Sequence, residues 1–468
     1  MKTIQTPRPA PRSLPAVWRN WREKVRDWEA IDNLPAIPVM AENFGNLESP
    51  EAYRRTLLSL IAGARERILL ATLYLEDDDG GREILEALYA AKAARPELAV
   101  AVFVDWHRAQ RGLIGKARSE GNVALYRAMA ERFGPGVEIH GVPVQRSEVM
   151  GVMHLKGFVI DNSVLYSGAS LNDVYLQRHK RYRIDRYHLI HNRALADCLA
   201  TLIHSLRRNP AVHSLNAPGV PKTAKIRQDI IAFRRELART RYRFAGDRIR
   251  QGEIGITPLV GLGIRDNELN RTIVDLIRQA KTRLVVFSPY FNLPGPVRRA
   301  LDSRLKDGCR VMIVLGDKIA NDFYIPPDEP FKTIGAVPYL YEANLRRFCK
   351  TRQGFIDAGQ LEVRLWRHGD NSFHLKGLLI DDHYALLTGN NINPRAWRLD
   401  LENGLLIRDP NKLLIGLHHA ELERILEHTQ RLPSHEALDA VETYPAPVQR
   451  LIKRLARVRA DRLVNQVL

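Results

Sequence analysis

Helical patterns and short apolar, β-prone runs alternate along most of this chain. Residues 53–64 place apolar side chains at helical spacing and lead into Arg67-Ile68-Leu69-Leu70-Ala71-Thr72-Leu73-Tyr74. The same order returns downstream, where a helical pattern over 267–280 precedes Arg283-Leu284-Val285-Val286-Phe287-Ser288-Pro289-Tyr290. In each case another helical stretch and another strand follow, the strands at 100–104 and 311–315. Short continuous apolar strands separated by helices predict α/β sheets covered on both faces.

A sharper repeat lies within this alternation. His154-Leu155-Lys156-Gly157-Phe158-Val159-Ile160-Asp161 returns as His374-Leu375-Lys376-Gly377-Leu378-Leu379-Ile380-Asp381. Gly168-Ala169-Ser170-Leu171-Asn172 then returns as Gly389-Asn390-Asn391-Ile392-Asn393, with the offset one residue longer. A hairpin turn at Asp381-Asp382-His383 would absorb that extra residue. Further on, Asp185 stands before Tyr187-His188-Leu189-Ile190 much as Glu402 stands before Gly404-Leu405-Leu406-Ile407. The chain thus reads as two homologous α/β halves, at 46–215 and 251–430. A basic helix from Lys222 to about Arg243 connects them within a linker at 216–250. A basic, proline-rich arm with Trp18, Trp21 and Trp28 occupies 1–45, partly helical from residue 15. A basic helical segment occupies 431–468, where Val448, Leu451, Ile452 and Leu455 share one face.

Composition narrows the function. Hydrophobic and charged shares of 45% and 26% are those of a globular protein, and no run approaches the ~20 apolar residues of a membrane span. The N-terminus has no apolar core of a secretory signal. A formal charge of +18 points to a polyanionic partner: nucleic acid, phosphorylated small molecules or an anionic membrane surface. Cys198, Cys309 and Cys349 are far apart, which excludes a disulfide framework or cysteine-rich zinc module and predicts a reducing, cytoplasmic setting.

The repeat supplies candidate chemistry. On a strand, positions i and i+2 share a face, so His154 projects with Lys156 and His374 with Lys376. Two copies meeting at an interface offer two imidazoles, two ammonium groups and the amides of Asn172 and Asn393. Phosphodiester transfer needs a nucleophile, a proton donor and positive charge about the phosphoryl oxygens, and this set provides them without metal. Asp185 and Glu402 are candidates to orient the imidazoles. Asp161 and Asp381, beyond an apolar run, are better placed to fix backbone. The cluster Glu76-Asp77-Asp78-Asp79 would suit Mg²⁺ or Ca²⁺, but a solvated acidic loop at a helix start is the preferred reading. The loop 320–331, after a strand end, is a candidate cover for a ligand.

H-x-K-x4-D followed by glycine and asparagine resembles the phospholipase D superfamily. Within it, the chain is similar to the bacterial CDP-diacylglycerol–serine O-phosphatidyltransferases, or phosphatidylserine synthases, of the enterobacterial type. The similarity is carried by Leu73-Tyr74-Leu75-Glu76-Asp77-Asp78-Asp79-Gly80-Gly81, Val104-Asp105-Trp106-His107-Arg108-Ala109-Gln110-Arg111-Gly112 and the segments around Asn172, Asp322 and Asn393. It departs after the motif glycine, where serine is common and Ala169 and Asn390 stand here. The resemblance implies two phospholipase D-like halves, each a mixed sheet flanked by helices, with one shared active site at a pseudo-twofold interface. It also implies transfer of a phosphatidyl group from CDP-diacylglycerol to L-serine through a phosphatidyl-histidine, with no cofactor and no obligatory nucleic acid. Such a protein would attach reversibly to the inner face of the cytoplasmic membrane. Phospholipase D, cardiolipin synthase and nuclease are the rival activities.

Overall fold

The computed structural model describes residues 30–111, 121–326 and 328–457, with side chains as far as Arg454. Trp18, Trp21, Trp28, Arg459 and Arg462 lie outside the described residues, and the side chains of Leu455 and Arg457 outside the described side chains. Two compact units are distinguished, Met1–Leu34 and Pro35–Leu468. In the first, the described residues form one 3-10 turn, Ile31–Asn33. Everything below concerns the second.

Each half is built on a mixed sheet. The first has eight strands, in the order His213–Ser214, Val137–Val142, Ala99–Asp105, Arg67–Ala71, Phe158–Ile160, Ser163–Ser167, Tyr187–His191 and Phe44–Asn46. The second has nine, in the order Ile37–Met40, Glu253–Leu262, Leu401–Arg408, Tyr384–Thr388, Gly377–Ile380, Arg283–Ser288, Arg310–Gly316, Leu361–Trp366 and Thr429–Arg431. In both, three neighbouring strands run parallel and the motif hairpin adds antiparallel to them. The hairpins differ by one turn residue: Ile160 pairs with Ser163, whereas Ile380 pairs with Tyr384. The longer offset between the copies is therefore absorbed there.

Helix starts follow local chemistry. Ser49 accepts from the Ala52 amide at 3.1 Å, ahead of Pro50, to open Pro50–Gly63. Asp78, Asn192 and Asn267 cap Asp79–Ala94, Arg193–Arg207 and Glu268–Gln279 in the same way. One continuous core includes residues of both halves, among them Leu155, Tyr166, Val260, Leu387 and Leu401.

Two expectations need correction. The arm does not extend to residue 45: Ile37–Met40 and Phe44–Asn46 each form an edge strand, one per sheet. Ile37 and Val39 alternate inward, and Pro38, lacking an N–H, is tolerated at a sheet edge. The linker helix is confined to Arg227–Leu237, because the buried stripe Ile230, Phe233 and Leu237 ends there. Beyond it, Tyr242 and Phe244 reach the core at extended spacing. On the helix Ala446–Arg457, Val448 is 1% exposed and packs with the partly buried Leu451 and Ile452 against Tyr339 and Tyr444.

Candidate active site

The two motifs face each other across the halves, and their side chains are interleaved. His154 leaves the first half where its amide donates to the Leu401 carbonyl at 2.9 Å. Its Nδ1 lies 2.9 Å from both carboxylate oxygens of Glu402, a residue of the second half. His374 has the mirrored partner, with Nδ1 3.2 Å from Asp185 of the first half. Each candidate orienting carboxylate thus serves the other half's histidine. With Nδ1 engaged, Nε2 is the atom each ring offers to a reacting group.

The lysines differ in their partners: the Lys376 ammonium reaches across to the first half, whereas that of Lys156 bonds within its own half. Lys376 Nζ donates to Asp185 at 2.7 Å and also contacts Nδ1 of His374. Lys156 Nζ donates to the Ala169 carbonyl at 3.1 Å and to Ser170 Oγ at 3.0 Å. The hydroxyl of Ser170 thus stands one position beyond the alanine that departs from the superfamily pattern. The motif glycines make room for this crossing. A Cβ on Gly168 would lie 2.8 Å from Lys376 Nζ and from both Asp185 oxygens, and one on Gly389 2.8 Å from Lys156 Cγ.

Burial and like charge set the protonation states. Burial, then Lys156 and Lys376, hold His154 well below the usual histidine range. Burial and Lys376 do the same for His374. Lys156 is pushed down to about 7 by burial and by the Lys376 ammonium. Burial also pushes Asp185 up, and burial with nearby Asp400 pushes Glu402 up. The site therefore places two buried amines where a proton on each is disfavoured, a penalty that an entering phosphate relieves.

The remaining candidates are placed differently from one another. Asp161, at φ 49°, accepts from the amides of Arg65, Glu66 and Arg67 at 2.9, 2.7 and 3.1 Å. Asp381, at φ 50°, accepts from Lys281, Thr282 and Arg283 at 2.6, 2.9 and 2.8 Å. Both thus hold the turn before the first parallel strand of their half. Asn393 caps the short helix Pro394–Arg398. Asn172 instead opens a turn, accepting from the Tyr175 amide at 3.1 Å, and its amide donates to Glu76 at 3.2 Å. Glu76–Asp79 do not converge: Glu76 pairs with Arg108, Asp77 with Arg82, and Asp78 caps a helix. Asp79, Asp173 and His179 are the group among the described residues close enough to share an ion.

Several site residues were not anticipated. The Tyr175 hydroxyl lies 2.7 Å from Nδ1 of His374. Arg183 stacks 4.7 Å over the Tyr175 ring and pairs with Asp322 at 2.8 Å. Asp322 also accepts from Tyr290 at 2.9 Å, so the loop 320–331 does reach the site. Asn403 grips the Lys156 backbone from the other half, accepting from its amide and donating to its carbonyl, both at 2.8 Å. Sequence signals existed for Asn403, which adjoins Glu402 as Arg186 adjoins Asp185, and for Asp322, which lies in the loop 320–331.

Two α/β halves whose motif histidines and lysines meet across a pseudo-twofold axis define a phospholipase D-type phosphotransferase. Residues 273–427 match the family model described as "Cardiolipin synthase, PLD-like domain". The chain is 50% identical to the CDP-diacylglycerol–serine O-phosphatidyltransferase of Escherichia coli, over 94% of this chain and 97% of that one. It is 45% identical to its Haemophilus influenzae counterpart, over the same shares. The crystal structure of the Haemophilus influenzae phosphatidylserine synthase superposes with a TM-score of 0.90 at 44% identity, covering 93% and 98% of the two chains. The chain belongs to the CDP-diacylglycerol–serine O-phosphatidyltransferase family.

Proposed function

We infer that the chain transfers the phosphatidyl group of CDP-diacylglycerol to L-serine, releasing CMP. The observation that carries this reading is the crossed arrangement of two His/Lys pairs, each histidine backed by the other half's carboxylate, in a chain of this family. His154 Nε2 attacks the phosphorus that bears diacylglycerol. The bond from that phosphorus to the bridging oxygen breaks, and CMP leaves with a phosphatidyl-histidine behind. His374 then takes the serine hydroxyl proton, the serine oxygen attacks the same phosphorus, and the P–N bond breaks to restore His154.

The departing CMP oxygen is a phosphate of low basicity, so proton donation contributes little to the first step. Removing the serine proton is the harder task, and a His374 held neutral suits it. Lys156, Lys376 and the amides of Asn172 and Asn393 hold the phosphoryl oxygens. The reading needs no metal or cofactor. It calls for no nucleic acid, and the setting is the anionic inner face of the cytoplasmic membrane, where the lipid substrate lies. Among the described residues no helix is long and apolar enough to cross a bilayer.

The deciding experiment incubates the protein with CDP-diacylglycerol in mixed micelles, with and without serine, in excess EDTA. Serine-dependent release of CMP with formation of phosphatidylserine is expected. Phosphatidic acid formed equally without serine would make the protein a lipase. Loss of activity in EDTA, restored by Mg²⁺, would make the acidic residues about Asp79 a metal site.

A further inference from the structure

Three of the large apolar side chains left exposed to solvent lie on two loops of the chain. Val149 is 67% exposed, Met150 45% and Ile264 60%. The two loops that carry them are tied to one short helix of the second half, Pro394–Arg398. The Arg395 guanidinium donates to the carbonyls of Glu148 at 2.8 Å and Val149 at 3.4 Å. On the other side, the Asn270 amide donates to the carbonyls of Trp397 at 2.8 Å and of Gly263, next to Ile264, at 3.3 Å. Glu148 is also paired with Arg111, so the first loop is held and its apolar tips face outward.

Charge surrounds these tips with one dominant sign. Arg146, Arg265 and Arg398 are exposed on the two loops and the helix. Of the nearby carboxylates, Glu148, Asp400 and Glu268 pair with Arg111, Arg395 and Arg241. That leaves Asp266 as the opposing charge on the second loop. Only four residues separate Val149 from His154, a reach of at most about 18 Å of extended chain. The intervening backbone is docked on the second half, the Val152 amide donating to Asp400 at 3.0 Å.

We propose that the face formed by Val149, Met150, Ile264 and their flanking arginines docks on an anionic lipid bilayer and sets the mouth of the active site at the headgroup layer. Aliphatic side chains ringed by arginines suit such an interface: the first enter the acyl boundary while the second meet lipid phosphates. The proposal rests on the reading above in one respect, that the substrate is anchored in the bilayer by its diacylglycerol.

The test uses the full chain and vesicles of phosphatidylcholine with or without phosphatidylglycerol. The variant Val149→Asp/Met150→Asp/Ile264→Asp is expected to bind anionic vesicles about tenfold more weakly or worse. It should release CMP from a monomeric short-chain CDP-diacylglycerol at the rate of the unaltered protein. Vesicle binding as strong as that of the unaltered protein would overturn the proposal. As a second measurement that does not depend on the triple variant folding, Met150→Trp should shift its emission to the blue with anionic vesicles. An unshifted spectrum would overturn the proposal, as would light scattering showing that this face joins two copies of the chain without lipid. Failure of serine-dependent CMP release in the unaltered protein would remove the functional reading while leaving vesicle binding through this face intact.

Discussion

Lys156 and Lys376 are 2% and 1% exposed, and burying two cations together is costly unless an anion joins them. In the free protein Lys156 has its pKa near 7, well under the unfolded value of about 10.4. The unfolded chain therefore binds the extra proton between those values, and this group makes the folded protein gain stability as pH rises from about 7 to about 10. Ligand binding has the opposite trend. CMP binding is expected to take up a proton above pH 7 and to weaken by up to about tenfold per unit, which calorimetry in buffers of different ionisation heat would show. The histidines divide by role. His154→Ala is expected to abolish exchange of labelled CMP into CDP-diacylglycerol without serine, because no covalent intermediate forms. His374→Ala should abolish transfer to serine but leave part of that exchange. Full exchange in the His154 variant would point to direct attack by serine.

At the scale of elements, the motif aspartates act on backbone. Asp161 and Asp381 each satisfy three amides at the start of a central strand, a charge-assisted arrangement that holds their carboxyls below the usual range. Asp161→Ala or Asp381→Ala should cost about 1–3 kcal/mol of stability, read as a lower Tm at pH 7, while turnover of the folded fraction survives. With the native pKa depressed, this contribution is present above the unfolded value of about 3.9 and fades as pH falls through the native one. The Tm gap between variant and parent should therefore narrow in acid. A gap that stays constant to pH 2 would assign the loss to something other than these carboxylates.

Across the whole molecule, the halves are joined by buried polar pairs as well as by apolar core. Arg186 of the first half donates to Glu421 of the second through Nε at 2.9 Å and Nη2 at 2.6 Å, and lies 5.2 Å from the centre of the Phe287 ring. Arg186 pulls the Glu421 carboxyl down to about 2. Glu421→Gln leaves the guanidinium buried with its charge uncompensated, so about 3–5 kcal/mol of stability should be lost. Because Arg186 follows Asp185, the same variant should impair turnover at temperatures where it stays folded. Calorimetry showing an unaltered Tm would remove this pair from the interface energetics.

The strand and helix order was legible because buried strands and amphipathic helices impose their own periods, and the observed Ala99–Asp105 and Arg310–Gly316 enclose the predicted runs. Duplication did the same for the chemistry: a recurrent His/Lys pair, a recurrent carboxylate and even the extra hairpin residue stand out by comparing the chain with itself. What a linear pattern cannot contain is which half's group meets which. That Glu402 backs His154 and Asp185 backs His374 follows from how two sheets dock, and so does the grip of Asn403 on Lys156. Tyr175 and Arg183 were invisible for the same reason, being single side chains without a repeated spacing, and Asp322 was legible only as part of the loop 320–331. The short edge strand Ile37–Met40 was hidden by its prolines, and only the neighbouring Glu253–Leu262 ladder makes it a strand. The sequence by itself determined the two halves and the reactive groups each carries. Tertiary packing alone decided how they cross, because the carboxylate behind each histidine and the partner that Lys376 finds in Asp185 come from the opposite half.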